Sequence, residues 1–275
     1  MHSFAVFLSV IIASFLSNKS HTKELECGIS DVTSPNERVI GGKICERGEL
    51  PWIVSVEVRS FFRSALCTAS IISNRHLLFA SHCVARHDPR ATTRVSNKVY
   101  VHPDRNADIA IIELPLPLKF NEYIRQICLK KTYNENTYNT RAMISGYGIH
   151  EWIPCSDSKK CKVPRSAFDG KLRKGTSQIL TLSQCQREYG NELLPKAHLC
   201  ARGEEGTDVF IGDSGGPIVI ENPKRDDGKT QWMQVGITSF TVAAGFQEYP
   251  TVFTRVTSYC DWIASVTKNA AKCVD

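Results

Sequence analysis

Residues 212–217 read Gly-Asp-Ser-Gly-Gly-Pro and lead into a β-rich run, Pro217–Ile220. A serine between glycines suits a tight, exposed turn, and its small neighbours let backbone N–H groups approach a substrate carbonyl. A serine hydroxyl alone is a poor nucleophile, so a base must come from elsewhere in the chain. The hexapeptide therefore predicts a nucleophile at Ser214, on a turn before a strand.

Two other sites supply the base and the acid that orients it. His82 lies in Ala-Ser-His-Cys at residues 80–83, after a strand-like run, and Asp108 directly precedes an apolar run. Taken singly, they also fit a core histidine and a turn acid. Their chain order of His, Asp, Ser is one of those known for hydrolytic triads. We therefore predict Ser214 as nucleophile, His82 as general base and Asp108 as the acid that orients His82.

The rest of the chain indicates an all-β fold. Its hydrophobic fraction of 42% and charged fraction of 23% are those of a globular protein. Short β-rich runs separated by turn residues are typical of a sandwich or barrel. Apolar spacing within Tyr259–Lys268 predicts a terminal helix. The predicted strands are Ile53–Val58, Ala69–Leu78, Lys98–His102, Ile109–Leu114, Ala142–Ser145, Pro217–Ile220, Met233–Ser239 and Thr251–Val256.

The amino terminus predicts export. Phe4–Leu16 is apolar except for two serines, too short for a bilayer and typical of a signal peptide, although a buried helix or short anchor is an alternative. In an oxidising compartment most of the eleven cysteines should form disulfides rather than bind zinc. The net charge is +6, but no aromatic-basic motif accompanies it, so we do not expect a nucleic acid as partner. No later stretch is long and apolar enough for a membrane helix, so we do not expect a membrane either. No cofactor or metal is expected.

Residues 38–275 resemble the trypsin/chymotrypsin family of serine proteases. The resemblance lies in Arg-Val-Ile-Gly-Gly at 38–42, the histidine motif at 80–83, Ser-Gly-Tyr-Gly at 145–148, Ser-Phe at 239–240 and Tyr-Cys-Asp-Trp-Ile at 259–263. It implies two six-stranded antiparallel β-barrels with the active site between them and a C-terminal helix. The chain then divides into a signal peptide (1–20), a propeptide (21–38) and a protease domain (39–275). The implied activity is hydrolysis of protein or peptide substrates by a secreted endopeptidase.

The resemblance also assigns roles around the nucleophile. The N–H groups of Gly212 and Ser214 form the oxyanion hole. Residues Ser239, Phe240 and Thr241 offer an extended edge that pairs with the substrate backbone.

Arg38 implies a zymogen, because an activating protease that cuts after it frees an ammonium at Val39. By resemblance this ammonium forms a buried ion pair with Asp213 and orders the oxyanion loop.

The specificity pocket combines two signals. Asp208 occupies the pocket base, where an acid binds Arg or Lys, while Thr241 and Thr251 replace two glycines that keep such pockets open. A buried acid needs a partner, which the Thr251 hydroxyl can provide in a shallower pocket. We favour cleavage after Arg or Lys, with small residues such as Ala or Val as the alternative.

Three disulfides follow from the resemblance: Cys27–Cys128, which keeps the propeptide attached, Cys67–Cys83 and Cys185–Cys200. The remaining cysteines are odd in number, and we expect Cys260 to pair with Cys273 and Cys45 with Cys155 or Cys161. Two family bridges are replaced, one by Phe210 and Ala244, the other by Ala142 and Ile220.

The first barrel is predicted to be shortened. Only 26 residues separate His82 from Asp108, so one or two strands and the family's calcium loop should be reduced or absent. This leaves a second interpretation, a catalytically weak homologue that binds a partner through the cleft. A disulfide-stapled structural protein is a third, but it leaves the Ser214 hexapeptide unexplained.

Overall fold

A computed structural model describes residues 26–32, 42–59, 64–85, 98–104, 106–134, 140–150, 168–194, 196–204, 206–222, 229–242 and 249–275. The predicted signal peptide and the activation residues Arg38 and Val39 lie outside these ranges. The predicted all-β class is confirmed. The elements are β1 Lys43–Ile44, β2 Ile53–Arg59, β3 Ser64–Ser73, β4 His76–Phe79, α1 His82–Ala85, β5 Lys98–Val101, β6 Ala110–Glu113, β7 Cys128–Lys130, β8 Arg141–Gly146, β9 Arg173–Leu180, α2 Leu182–Tyr189, β10 His198–Gly203, β11 Pro217–Glu221, β12 Trp232–Phe240, β13 Thr251–Arg255, α3 Cys260–Val266 and β14 Cys273–Val274.

The carboxyl-terminal half forms a closed barrel. Its strands follow the order β11-β8-β9-β10-β13-β12, and β11 also pairs with β12, which closes six antiparallel strands into a ring. Closure leaves this ring no exposed edge. On the outside, β7 pairs in parallel with both β12 and β14.

The amino-terminal half forms a five-stranded antiparallel sheet in the described residues, in the order β2-β3-β4-β6-β5. The run predicted as one strand over Ala69–Leu78 is divided between β3 and β4. A turn at Asn74 and Arg75 separates the two strands. The carbonyls of Asn74 and Arg75 accept hydrogen bonds from Leu118 N and Leu114 N, each at 2.7 Å, which hold the turn in place. The turn reverses the chain, so residues 69–78 supply two neighbouring strands.

The terminal helix is confirmed but is shorter than predicted. A 3-10 turn over Val256–Tyr259 leads into α3, and the Thr267 hydroxyl donates to Ile263 O at 2.8 Å. Lys268 and Asn269 then adopt positive φ, which ends the helix.

The structure forms four disulfides in its described residues: Cys27–Cys128, Cys67–Cys83, Cys185–Cys200 and Cys260–Cys273.

The expected disulfide between Cys45 and Cys155 or Cys161 is not formed, and Cys45 is a free thiol. Its backbone N–H donates to Leu172 O at 2.8 Å, which holds it at the end of β1 against the start of β9. Burial, aided by the nearby Glu49 carboxylate, raises the pKa of this thiol to about 12, so it is protonated and unreactive at neutral pH. The partners considered for it, Cys155 and Cys161, lie outside the described residues.

The segment Glu26–Val32 is docked on the closed barrel by its backbone as well as by the Cys27 disulfide. Gly28 N donates to Gln126 O, and Gly28 O accepts from Trp232 N, both at 2.8 Å. Ile29 forms an isolated antiparallel bridge with Gln231. The segment therefore adds a short edge to the sheet.

A buried arginine fixes the same segment. Arg125, 6% exposed, donates to Ile29 O at 3.4 Å and forms an ion pair with Asp31. A buried guanidinium is costly without partners. The described segment of the predicted propeptide is thus part of the folded domain.

Replacement of Gly28 tests this docking. Gly28 and Gly170 both have a φ of 71°, but a Cβ on Gly28 would lie 2.1 Å from Trp232 O whereas one on Gly170 would meet nothing within 4 Å. Left-handed strain alone should make Gly170→Ala cost about 1 kcal/mol, which is roughly 2–4 °C in Tm for a domain of this size. We expect Gly28→Ala to lower Tm, measured by calorimetry, clearly further. Equal shifts for the two variants would contradict the docked arrangement.

Candidate active site

Strand register brings His82 and Asp108 together. β4 and β6 pair antiparallel with Phe79 opposite Ala110, so the residues just after β4 and just before β6 leave the sheet side by side. His82 Nδ1 lies 2.7 Å from Asp108 Oδ2. The short connection between the two residues therefore preserves their contact.

The Asp108 carboxylate receives four hydrogen bonds. Ser81 Oγ donates to Oδ1 at 2.9 Å and His82 N to the same oxygen at 2.8 Å. Oδ2 accepts from His82 Nδ1 and, at 2.5 Å, from Ser239 Oγ. Burial by itself would raise the pKa of Asp108, but the bonds from His82 and Ser239 outweigh it and lower the pKa to about 2. Asp108 is thus ionised at neutral pH and holds the His82 ring in one orientation.

Sequence reasoning missed two of the residues that hold Asp108. Ser81, the residue before His82 in the motif at 80–83, donates to the Asp108 carboxylate, where the sequence resemblance leads us to expect alanine. Thr254 Oγ1 donates to the Asp108 backbone carbonyl at 2.8 Å. The departure at Ser81 was visible in the sequence, but its partner was not. Thr254 had no local signal, because it reaches Asp108 from β13 of the other barrel.

Ser214 lies against the histidine loop. Its carbonyl accepts from Thr68 N at 2.9 Å, and Cys83 Sγ lies 3.8 Å from the same oxygen. The Cys67–Cys83 disulfide joins the residues that follow His82 and precede Thr68. Backbone contacts therefore bring the predicted nucleophile to the side of the cleft that holds His82.

The predicted oxyanion donors are available in this turn. Gly212 has a φ of 104°, a conformation that favours glycine. Among the described residues, no protein acceptor receives a hydrogen bond from the N–H of Gly212 or Ser214. Both donors can therefore serve an incoming oxygen.

The predicted pocket residues form one cluster. Thr251 Oγ1 and Val209 N both donate to Asp208 Oδ1 at 2.8 Å. Thr251 is buried, at 2% exposure, while Asp208 is half-buried. The cluster matches the expected hydroxyl partner for Asp208.

An aromatic wall that sequence reasoning missed adjoins this cluster. The Tyr189 hydroxyl donates to Pro250 O at 2.6 Å and also hydrogen-bonds the Thr241 side chain. The Tyr189 ring meets Phe240 edge-on, with centroids 5.9 Å apart. Burial and the nearby Asp208 charge raise the pKa of Tyr189 to about 12, against the effect of the Thr241 bond.

A sequence signal for the helix that carries Tyr189 was present. Thr181 and Gln184 form a capping box at the start of α2, in which Thr181 N donates to Gln184 Oε1 at 2.8 Å. The Thr-x-x-Gln spacing is a known helix-start pattern.

Asp213 is half-buried and its carboxylate has few donors. Gly148 N donates to Oδ1 at 2.8 Å and Phe210 N to Oδ2 at 2.9 Å. A Cβ on Gly146 or Gly148 would lie 2.1 or 2.5 Å from this carboxylate, which explains the glycines of the Gly-Tyr-Gly motif. Burial raises the pKa of Asp213 to about 6, because the two N–H bonds only partly compensate.

A cavity of about 230 Å³ opens beside Asp213, with Gly42 and Ser145 among its lining residues. Two cations line it, but Arg173 is paired with Asp169 and Lys174 with Glu49. The buried Ser145 hydroxyl has no hydrogen-bond partner among the described residues. The cavity therefore offers a carboxylate and a hydroxyl to a polar group of opposite charge.

The described residues place an ionised Asp108 on His82 Nδ1 and the Ser214 turn against the histidine loop. Comparison with known proteins agrees, since the Trypsin family model matches residues 39–263. The chain belongs to the trypsin family of serine proteases.

Three relatives show the extent of the similarity. The chain is 31% identical over 263 residues to Transmembrane protease serine 11C of Mus musculus, covering 88% of this chain and 56% of that protein. Ovochymase of Halocynthia roretzi is 28% identical over 280 residues, covering 90% and 17%. Transmembrane protease serine 9 of Rattus norvegicus is 29% identical over 278 residues, covering 92% and 24%. The chain thus spans between about a sixth and just over half of these relatives.

The described residues contain neither a metal-binding cluster nor a membrane-spanning helix. The described residues hold no group of three or more His, Cys, Asp or Glu side chains arranged to bind a metal ion. None of the helices in the described ranges has the length and apolar character needed to cross a membrane.

The raised pKa of Asp213 predicts a pH dependence of stability in the uncleaved chain. Between the ordinary carboxyl pKa of 3.8 and about 6, the folded chain retains a proton that the unfolded chain has released. The free energy of unfolding therefore falls as pH rises through this window and changes no further above it. Arg38→Gln keeps the chain uncleaved and leaves Asp213 ionisable, so its free energy of unfolding should fall with pH. The double variant Arg38→Gln with Asp213→Asn has no carboxyl at residue 213 and should not show this fall. We expect Tm curves from pH 4.5 to 8 to diverge in favour of the double variant, and parallel curves would contradict the assignment.

Proposed function

We propose that this chain is an active serine endopeptidase that hydrolyses peptide bonds through an acyl-enzyme. The ionised Asp108 bonded to His82 Nδ1 is the observation that carries the proposal, because it orients the imidazole as a general base requires. His82 accepts the hydroxyl proton of Ser214 as Ser214 Oγ attacks the scissile carbonyl carbon. The proton then passes to the leaving amine, and water releases the acid product by the same route.

The oxyanion hole supplies the largest electrostatic contribution. As the carbonyl oxygen becomes negative, the N–H groups of Gly212 and Ser214 donate to it. Each such donor is worth about 3–4 kcal/mol in related sites. The absence of a protein acceptor for these two groups among the described residues supports this role.

Activation is proposed to follow cleavage after Arg38. An uncleaved chain has an amide at Val39, and cleavage converts it to an ammonium. Val39 is three residues before Gly42, which lines the cavity beside Asp213. Insertion of that ammonium would neutralise the Asp213 charge and give the Ser145 hydroxyl an N–H donor.

The chain is proposed to be exported. Residues 1–20 would be removed as a signal peptide, and four disulfides in the described residues fit an oxidising compartment. Residues 21–38 would remain attached as a propeptide, because the Cys27–Cys128 disulfide and the buried Arg125 both hold the docked segment. The proposed partners are protein substrates and an activating protease, without nucleic acid or membrane.

Labelling with a fluorophosphonate tests nucleophile and activation together. The reagent forms a bond between phosphorus and an activated serine oxygen and releases fluoride. We expect label in wild type collected from the medium only after cleavage at Arg38, and none in Ser214→Ala. Arg38→Gln should be secreted, uncleaved and unlabelled under the same conditions.

Each comparison in this experiment tests a different part of the proposal. Label in Ser214→Ala would overturn the nucleophile. Equal labelling of Arg38→Gln and wild type would overturn activation while leaving the peptidase intact. A cleaved wild type that takes no label would favour the binding homologue instead. Turnover should fall by several orders of magnitude in Ser214→Ala or His82→Ala, with little further loss when both are changed.

The same site is proposed to prefer Arg or Lys before the scissile bond. The Thr251 hydroxyl satisfies a lone pair of Asp208 but, being neutral, does not cancel its charge. Asp208 is half-buried, which keeps its carboxylate within reach of a long cationic side chain. A cation that binds there replaces lost hydration with an ion pair.

Asp208→Asn tests this preference, since it removes the charge and keeps an oxygen for Thr251. In a peptide library varied before the cut, wild type should favour Arg and Lys. Asp208→Asn should cost basic substrates about 2–5 kcal/mol, or roughly 30- to 5,000-fold in kcat/KM, and leave neutral ones nearly unchanged. Preference for Ala or Val in wild type would show that Thr241 and Thr251 close the pocket. Preference for Phe or Tyr would contradict both interpretations.

A further inference from the structure

The Gly212 peptide is anchored on both sides. Ile149 N donates to Ile211 O at 3.0 Å, which fixes the peptide unit that carries the Gly212 N–H. On the other side, the Gly212 carbonyl accepts from Thr68 Oγ1 at 2.9 Å. Glycine resists rotation less than any other residue, so these anchors determine where its N–H points.

Thr68 holds three segments of the site. Its side chain is fully buried, at 0% exposure, and its hydroxyl also accepts from Tyr147 N at 3.2 Å. Its backbone N–H donates to Ser214 O at 2.9 Å. It directly follows Cys67, whose disulfide reaches the residue after His82. One residue of β3 thus connects the nucleophile turn, the Gly-Tyr-Gly motif and the histidine loop.

We propose that Thr68 is a positioning residue whose hydroxyl keeps the Gly212 peptide oriented for oxyanion binding. The inference rests on the proposed peptidase function and adds a determinant of its rate. Without the hydroxyl, the Gly212 carbonyl and the Tyr147 N–H lose their buried partner. A buried polar group without a partner is unfavourable, so the Gly212–Asp213 peptide unit is expected to turn until its carbonyl finds another donor. Because the glycine backbone is flexible, that movement is passed through Gly212 to the adjoining Ile211–Gly212 peptide unit and tilts the Gly212 N–H away from the developing negative charge.

A structural role for Thr68 alone predicts different behaviour. Loss of packing or of a strand hydrogen bond lowers Tm and acts on substrate and transition state alike. Loss of oxyanion alignment lowers kcat, leaves KM nearly unchanged, and weakens binding of a tetrahedral adduct by the same factor.

The test compares Thr68→Val, which keeps the shape, with Thr68→Ser, which keeps the hydroxyl, in the cleaved chain. We expect Thr68→Val to lower kcat by about 10- to 100-fold, less than the 10²- to 10³-fold loss of an entire oxyanion donor. Affinity for a peptide boronic acid, which forms a tetrahedral adduct with the serine, should fall equally. Thr68→Ser should restore both quantities to within a few-fold of wild type.

Ser70→Ala is the matched control. Ser70 is also buried on β3, but its hydroxyl donates to Gln234 Oε1 at 2.7 Å, away from Gly212. It should lower Tm without changing kcat or boronate affinity. If Thr68→Val does not fold, Thr68→Ala carries the same expectation with a smaller side chain.

Three results would overturn the inference. They are unchanged kcat and boronate affinity in Thr68→Val, failure of Thr68→Ser to restore them, and an equal loss in Ser70→Ala. A wild type that neither turns over peptides nor takes the fluorophosphonate would instead overturn the peptidase function, so the two failures are distinguishable.

Discussion

The charge of Asp108, whose side chain is only 18% exposed, is the constraint on which the site depends. A carboxylate out of water needs hydrogen-bond donors, and those of Asp108 come from both halves of the molecule. Ser81 and His82 approach from the five-stranded sheet, while Ser239 approaches from the closed barrel. Thr254 of the closed barrel binds the Asp108 backbone as well. The two halves must therefore dock in one arrangement for the charge to be tolerated, and that arrangement also brings Ser214 beside the histidine loop.

Asp213 shows what happens when donors are fewer. Asp108 has four hydrogen bonds and a pKa of about 2, whereas Asp213 has two, both from backbone N–H groups, and a pKa of about 6. Burial raises the pKa of both carboxyls, so the difference comes from how far hydrogen bonds to each carboxylate offset that effect. Asp213 is also near the charge of Arg173, which lowers its pKa, but Arg173 is itself paired with Asp169. In the proposed mechanism, Asp108 is therefore charged throughout, while Asp213 gains a cationic partner when the chain is cleaved after Arg38.

The sequence was sufficient for the parts of the site with local signals. The triad residues and the glycine turn stand in short motifs, and alternating runs revealed most strands. The strands β9 and β10 were not predicted. In β9, Arg173 and Lys174 break the apolar pattern, and they form ion pairs with the nearby Asp169 and the distant Glu49. The short His82–Asp108 connection made the contact between these two residues doubtful from the sequence. The pairing of β4 with β6 nevertheless brings them together. Contacts between distant strands, such as Thr254 with Asp108, have no signature in one sequence.

The replaced family bridges show how the chain substitutes packing for covalent links. Ala142 and Ile220 are both buried, at 3% and 5% exposure, on the paired strands β8 and β11. They join the apolar core of the closed barrel, so the loss of a bridge there is offset by burial of apolar surface. At the pocket, Phe210 N instead donates to Asp213, and the wall at Thr241 is held by Tyr189. Phe210 and Thr241 are therefore held by single hydrogen bonds to Asp213 and Tyr189, so this part of the chain keeps its arrangement through noncovalent contacts.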